Sequence, residues 1–320
     1  MNPMKAVFLD FNSLNQNDLE ISRLQQQFDQ LILHAVTAPD EILERVQNVD
    51  VIITNKVRVN AELIRQLPKL KLILISATGT NNVDLSAARE HNIVVCNCQG
   101  YGTPAVAQHT LLLMLSLATS FLKYDRAVRT GAWNKAEQFC LLDFPIVELA
   151  GKTLGIVGYG ELGQAVARLA EAFGMQVKIA SLPCRPGGTD RIPLKELLPQ
   201  VDFLSLHCPL TEQTQNLIGA AELQQMKPTA FLINCARGGL VNETALVQAL
   251  KNGEIAGAAS DVLTVEPPKQ GNILLNEDIP NLIVTPHSAW GSVQARQRML
   301  EQLAENTEAF KRGLPIRQVN

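Results

Sequence analysis

The chain has 320 residues, 46% of them hydrophobic, with a mean hydropathy of +0.05 and a formal net charge of −3. That is apolar material for about two domains with sizeable cores, and it excludes a disordered or fibrous chain. The small negative charge excludes a nucleic-acid binder, which needs a strong basic excess to neutralise phosphates.

The first residues, "MNPMKAVFLDFN", lack the long apolar core of a signal peptide. Five short runs rich in Val, Ile and Leu follow: "KAVFLD" (5–10), "QLILHA" (30–35), "DVIIT" (50–54), "KLILIS" (71–76) and "IVVCN" (93–97). Amphipathic stretches such as "NAELIRQLPKL" separate them, which predicts βαβ units around a parallel sheet buried on both faces. Cys96 and Cys98, at the last strand's end, read as small buried hydrophobes. The six cysteines contain no C-x-x-C pair and stand beside no histidine cluster, so a reduced cytoplasmic protein without a metal is expected. "TLLLMLSLATSFL" (110–122) is too short to span a bilayer and predicts a buried helix, hence no membrane association.

A second block then alternates six strand candidates with helices: "TLGIVG" (153–158), "QVKIAS" (176–181), "DFLSLH" (202–207), "AFLINCA" (230–236), "GAASDV" (257–262) and "NLIVTP" (281–286). Headed by a glycine turn, this predicts a doubly wound nucleotide-binding domain. "NET" (242–244) matches a glycosylation acceptor but reads as an asparagine helix cap. The tail "SVQARQRMLEQLAENTEAFKRG" predicts one amphipathic helix ending at Gly313.

The glycine turn is Gly158, Gly160 and Gly163 in "GIVGYGELG", a G-x-G-x-x-G between strand and helix. The first glycine allows the tight turn, the second lets a pyrophosphate approach the backbone, and the third lets the helix pack on the strand. At the end of the next strand, "MQVKIASLPCR", a carboxylate would pair with the ribose hydroxyls of NAD and repel the extra phosphate of NADP. Ser181 stands there instead. Arg185 can supply the cation a 2′-phosphate needs; the alternative is a solvated loop residue pointing away. The lean is toward NADP over NAD.

Three polar residues follow three strands of this block, at the edge where such sheets bind ligands. Arg237 in "ARGGLVN" can grip a carboxylate in a bidentate pair and polarise the adjacent carbonyl. His287 in "TPHSAW" can exchange the proton that accompanies hydride transfer. Glu266 in "VEPP" can hold the imidazole and favour its charged form. Singly, each has a bland reading as turn, loop or capping residue; together they point to a catalytic set.

"GIVGYGELG", "NCARGGLVNETAL", "DVLTVEP", "TPHSAW", "SATGTNNVDLSAA" and "GYGTPAVAQHTLLLML" together resemble the D-isomer-specific 2-hydroxyacid dehydrogenase family over essentially the whole chain. "GAWNKAEQFCLLDFPIVELAGKTLGIVG" is most similar to its glycerate dehydrogenase or hydroxypyruvate (glyoxylate) reductase branch. The resemblance implies two doubly wound parallel-sheet domains with a cleft between them. One is a flavodoxin-like substrate domain (1–103 and 289–320), and the other is a Rossmann dinucleotide-binding domain (104–288). It implies a homodimer through the helix region 104–145, and a catalytic triad of Arg237, Glu266 and His287. It implies substrate contacts from Asn55, Thr78 and Gly79, with Thr78 also toward the cofactor. Glu161 and Leu162 would lie along the pyrophosphate, and Cys208, Cys235, Ala236 and Asp261 would line the cofactor, Asp261 near the nicotinamide amide. The regulatory domain of longer phosphoglycerate dehydrogenases is not expected after Asn320.

The expected chemistry is hydride transfer between a nicotinamide cofactor and a small 2-oxo or 2-hydroxy acid, hydroxypyruvate or glyoxylate first. Two other readings stay open. A short 3-phosphoglycerate dehydrogenase would use Lys56 and Arg58 as phosphate cations. A non-catalytic, corepressor-like NAD(H)-binding protein of the same fold would also keep the triad. Trp290, and Trp133 from a partner subunit, are expected to shape the pocket.

Overall fold

The computed structural model describes residues 4–182 and 190–320, so Arg185 lies outside the described residues. The chain divides into two compact units, Met1–Gly102 with Trp290–Asn320, and Thr103–Ala289.

The first unit holds a five-stranded sheet of β1 (Lys5–Phe8), β2 (Gln30–Leu33), β3 (Val51–Thr54), β4 (Leu72–Ile75) and β5 (Val94–Cys96), in the order β2-β1-β3-β4-β5. Every neighbouring pair is parallel. The runs "VIIT" and "LILI" are buried at every residue. They show no alternation because both faces of the sheet are covered. On one face Met299, Leu300, Leu303 and Ala304 of the tail helix (Val293–Lys311) join Phe8, Ile53, Leu72 and Leu74 in one core. On the other, Val7, Leu9, Ile52 and Ile73 pack with Ile64 and Leu67. Cys96 and Cys98 are fully buried, as small hydrophobes should be.

The tail helix begins and ends where its sequence indicates. Ser292 Oγ accepts the Ala295 N–H at 3.2 Å, and Gly313 takes a left-handed φ of +75° just past the last turn. Near its start the buried Arg296 forms a bidentate pair with Asp18 at 2.8 and 2.6 Å. Those charge-assisted bonds hold the Asp18 carboxyl down at about 2.

The second unit contains β6 (Thr153–Val157), β7 (Gln176–Ser181), β8 (Arg191–Pro193), β9 (Phe203–Leu206), β10 (Phe231–Asn234), β11 (Gly257–Ser260) and β12 (Leu282–Val284). Their order is β12-β11-β10-β9-β6-β7-β8, parallel throughout. The chain runs outward from β6 to β8, then returns to the other side of β6 with β9. The β6/β9 boundary is therefore the switch point at which doubly wound sheets bind dinucleotides.

Two features depart from the sequence reading. Seven strands form where six were expected, because β8 has three residues and ends in proline. With a single isoleucine between arginine and proline it shows no hydrophobic run, and it sits at the sheet edge, where a missing N–H is tolerated. The apolar run 110–122 is not one helix either. Thr103–Ala118 is a largely buried helix, but Ser120 turns left-handed at φ +51° and a second helix, Phe121–Arg129, leaves at 64° with no buried residue. The Ser120 hydroxyl donates to Pro145 O at 2.7 Å and Tyr124 Oη donates to Phe144 O at 2.7 Å, fastening the turned chain to the segment that follows. No single helix among the described residues is long and apolar enough to cross a membrane.

Asn242 caps a helix, its Oδ1 accepting the Ala245 N–H at 2.9 Å. That is the role its side chain was expected to play.

Candidate active site

At the switch point β6 runs into Gly158, whose φ is +99°. A side chain there would lie 2.6 Å from the Cys208 nitrogen and the His207 carbonyl carbon at the end of β9. At Gly163 a Cβ would lie 2.1 Å from the Gly158 carbonyl oxygen, so helix Glu161–Ala172 rests directly on the turn. Gly160 is different: a Cβ would meet nothing within 4 Å. The middle glycine thus borders open space beside the unpaired N–H groups of a twelve-residue helix, a cradle that fits a pyrophosphate. Glu161 is the helix's first residue and accepts the Thr103 hydroxyl at 2.8 Å, while Leu162 is half-buried.

His207, next to this turn, lies 2.8 Å through Nε2 from Ser205 Oγ, and its Nδ1 has no partner among the described residues. Burial pushes it down to about 4, so it stays neutral. An unfolded histidine binds a proton below its ordinary 6.5, whereas the folded one waits until about 4. Stability is therefore expected to fall as pH drops through that window. Chemical denaturation at stepped pH checks this: the fall should be smaller in His207→Gln, and equal slopes in the two proteins would refute it.

Cys208, Cys235 and Ala236 are buried at the ends of β9 and β10. Burial pushes the Cys235 thiol up to about 12, which makes it a wall and not a nucleophile. Ser181 ends β7, half-buried, its hydroxyl donating to Ile192 O of β8 at 3.3 Å.

The register aligns Asn234, Ser260 and Val284 across β10, β11 and β12. Arg237, Glu266 and His287 thus leave one sheet edge on neighbouring strands. Arg237 is exposed; its Nη1 donates to Ala236 O at 2.7 Å, and its own carbonyl accepts Asn234 Nδ2 at 2.8 Å. Glu266 Oε2 lies 2.5 Å from His287 Nδ1, and Oε1 accepts the Leu263 N–H at 2.7 Å. With Nδ1 held by the carboxylate, Nε2 is the ring nitrogen left for a substrate.

His287 sits at φ +53°, a left-handed conformation that histidine tolerates better than most residues. Asp261, 1% exposed, imposes it. Its carbonyl accepts the His287 N–H at 2.8 Å, and its carboxylate accepts the N–H groups of Ser288 and Ala289 at 2.9 Å each and the Thr285 hydroxyl at 2.5 Å. Asp261 was expected at the nicotinamide amide. In the structure its carboxylate also serves the turn carrying His287, accepting three of that turn's donors.

In the first unit, Asn55, Thr78 and Gly79 follow β3 and β4. The Asn55 side chain is buried and donates to Ser13 Oγ at 3.1 Å, while Asp10 accepts its backbone N–H at 2.9 Å and that of Lys56 at 2.6 Å. Asn55 therefore also braces its own loop. Thr78 is exposed, its carbonyl accepting Asn97 Nδ2 at 2.8 Å. Trp290 packs edge-on against Tyr101, and Trp133 Nε1 donates to Phe139 O at 3.0 Å. No group of three His, Cys, Asp or Glu side chains among the described residues could hold a metal ion.

Two anchoring residues escape sequence reading. His109 Nε2 lies 3.0 Å from Thr285 Oγ1, bracing the His287 turn from helix Thr103–Ala118, and nothing in an apolar helix marks one histidine as such a brace. Glu243 is the other.

A glycine cradle at the switch point, with an acid–histidine pair and an exposed arginine along the same sheet edge, defines a nicotinamide-dependent oxidoreductase. Comparison with known proteins agrees. Residues 111–289 match the NAD binding domain of the D-isomer specific 2-hydroxyacid dehydrogenases. The chain is 47% identical to a glycerate dehydrogenase of Methylorubrum extorquens, covering 97% of each chain. It is 34% identical to a hydroxypyruvate reductase of Blautia hydrogenotrophica over 99% of this chain and 100% of that one. A solved structure from Thermus thermophilus superposes with a TM-score of 0.86 at 36% identity, covering 99% of this chain and 100% of that one. The chain belongs to the D-isomer specific 2-hydroxyacid dehydrogenase family.

Proposed function

We propose that this enzyme reduces a small 2-oxo acid, hydroxypyruvate or glyoxylate, to the D-2-hydroxy acid, with NADPH preferred over NADH. The observation that carries the reading is the Glu266–His287 pair at 2.5 Å on the sheet edge from which the exposed Arg237 also leaves. When bound, the nicotinamide cofactor supplies the hydride that reaches the substrate's C2. Arg237 binds the substrate carboxylate through paired N–H donors and polarises the adjacent carbonyl. His287 gives its Nε2 proton to the carbonyl oxygen as that oxygen gains charge, so hydride and proton together make the alcohol. Glu266 holds Nδ1–H and offsets the positive charge of the ring before it donates. The glycine turn and the first turn of helix Glu161–Ala172 hold the cofactor's phosphates. Ser181 in place of an acid at the end of β7 supports NADPH, since no carboxylate stands at that position to repel a 2′-phosphate. The two relatives named above as acting on glycerate and hydroxypyruvate support the substrate class.

A steady-state screen of small 2-oxo acids against NADH and NADPH tests both parts. The expected result is the highest kcat/KM for hydroxypyruvate or glyoxylate with NADPH. Turnover on no 2-oxo acid would remove the enzyme reading and favour a binding protein. A preference for NADH would remove the cofactor assignment alone.

A further inference from the structure

We propose that Glu243 is a positioning residue, which holds the loop bearing Glu266 and so keeps the Glu266–His287 pair in register. The proposal rests on the reading of that pair given above.

Glu243 opens helix Glu243–Lys251, where a carboxylate ordinarily serves the helix's own free N–H groups or faces solvent. Here it does neither. Oε1 accepts the backbone N–H of Thr264 at 2.7 Å, and Oε2 accepts Asn272 Nδ2 at 2.9 Å. One carboxylate thereby ties down both ends of the segment 264–272, and Glu266 lies inside it. The orientation of Asn272 is fixed independently, because its Oδ1 accepts the Leu274 N–H at 2.8 Å and only its NH2 remains for Glu243. Both bonds to Glu243 are charge-assisted, the stronger class.

The anchored peptide is also where the pieces of the site meet. Leu263 N–H donates to Glu266 Oε1 at 2.7 Å, and the next N–H along the chain, that of Thr264, is the one Glu243 takes. Gly238, adjacent to Arg237, packs on that same peptide: a Cβ there would lie 2.0 Å from Leu263 C and 2.4 Å from Thr264 N. A loop shift would therefore move Glu266 away from His287, while the close packing of Gly238 keeps the Arg237 turn seated. Misplacements well under 1 Å cost rate at such a site.

The experiment compares Glu243→Gln, Asn272→Asp, Glu266→Gln and the doubles with Glu266→Gln, in the intact enzyme. Glu243→Gln keeps the acceptor for Thr264 but turns an NH2 toward that of Asn272. Asn272→Asp keeps the cap on Leu274 but sets one carboxylate against another. Each is expected to lower kcat about tenfold, with KM for cofactor and 2-oxo acid within about twofold of the parent. In the Glu266→Gln background either change should add less than about twofold, because the effect passes through Glu266.

Wild-type kcat in both Glu243→Gln and Asn272→Asp overturns the proposal. So does full additivity with Glu266→Gln, or a loss confined to cofactor affinity and melting temperature, which is the mark of a merely structural tie. Wild-type kcat in Glu266→Gln would instead sink the reading of the pair itself, and this proposal with it.

Discussion

Replacing His287 by asparagine is expected to lower kcat for 2-oxo acid reduction about a thousandfold, the scale of a lost general acid. Asparagine is the informative replacement because residue 287 sits at φ +53° with its N–H bonded to Asp261 O at 2.8 Å. Asparagine tolerates that backbone, whereas alanine would add strain of its own and confuse lost chemistry with a distorted turn. The Asp261 carboxylate would still hold Ser288, Ala289 and Thr285, so the loop should keep its path. Cofactor affinity, read by fluorescence titration, should stay within about threefold, since a lost transition-state contact lowers kcat without weakening ground-state binding. Turnover near the wild-type rate would show that another group delivers the proton. Glu266→Gln should sit between the two proteins, because an amide can still accept Nδ1–H but offers no negative charge to the ring.

How far could a reader of the bare sequence have come? The eleven strands other than β8 lie in mostly apolar runs of the sequence, because strands buried on both faces need no polar alternation. The glycine turn and Arg237, Glu266 and His287 are legible for a related reason. Parallel strands bring their C-terminal ends to one edge, so residues distant in sequence become neighbours once the strands are found. What stayed hidden depends on long-range contact. β8 ends in proline, and its pairing of Ser181 with Pro193 is invisible in three residues. The break at Ser120 is fastened by a bond to a segment 25 residues on, whereas the run around it is mostly apolar. The family resemblance marks Asn55 and Asp261 as ligand contacts but gives no sign of the loop bonds they also make. In the structure the Asp261 carboxylate and the Asn55 amide satisfy their own loops, and a loop's internal needs cannot be read from strand position. Glu243 passed unnoticed inside a glycosylation-like triplet, since its partners lie 21 and 29 residues away.

Gly163→Ala is expected to weaken cofactor binding by more than about a hundredfold, since even a 1 Å misplacement of phosphate-holding groups is costly. Its Cβ would fall 2.1 Å from the Gly158 carbonyl oxygen, and that atom belongs to a backbone turn with nowhere to yield. Gly158 itself is fixed at φ +99° and cannot back away, because His207 and Cys208 already press against it. The helix must lift off the strand, carrying away the N–H groups meant for the pyrophosphate. Such a variant should therefore lose thermal stability as well as affinity. Gly160→Ala supplies the contrast, since its methyl meets nothing within 4 Å in the protein alone. That variant should melt like the wild type, yet bind cofactor at least about tenfold more weakly, because the methyl fills the space through which a phosphate approaches the backbone. Titration with NADPH alongside thermal melts distinguishes the cases. If Gly160→Ala binds NADPH as tightly as the wild type, the dinucleotide does not cross the switch point at this turn. A Gly163→Ala protein that both melts and binds normally would mean the helix can move without consequence, against everything its contact with Gly158 implies.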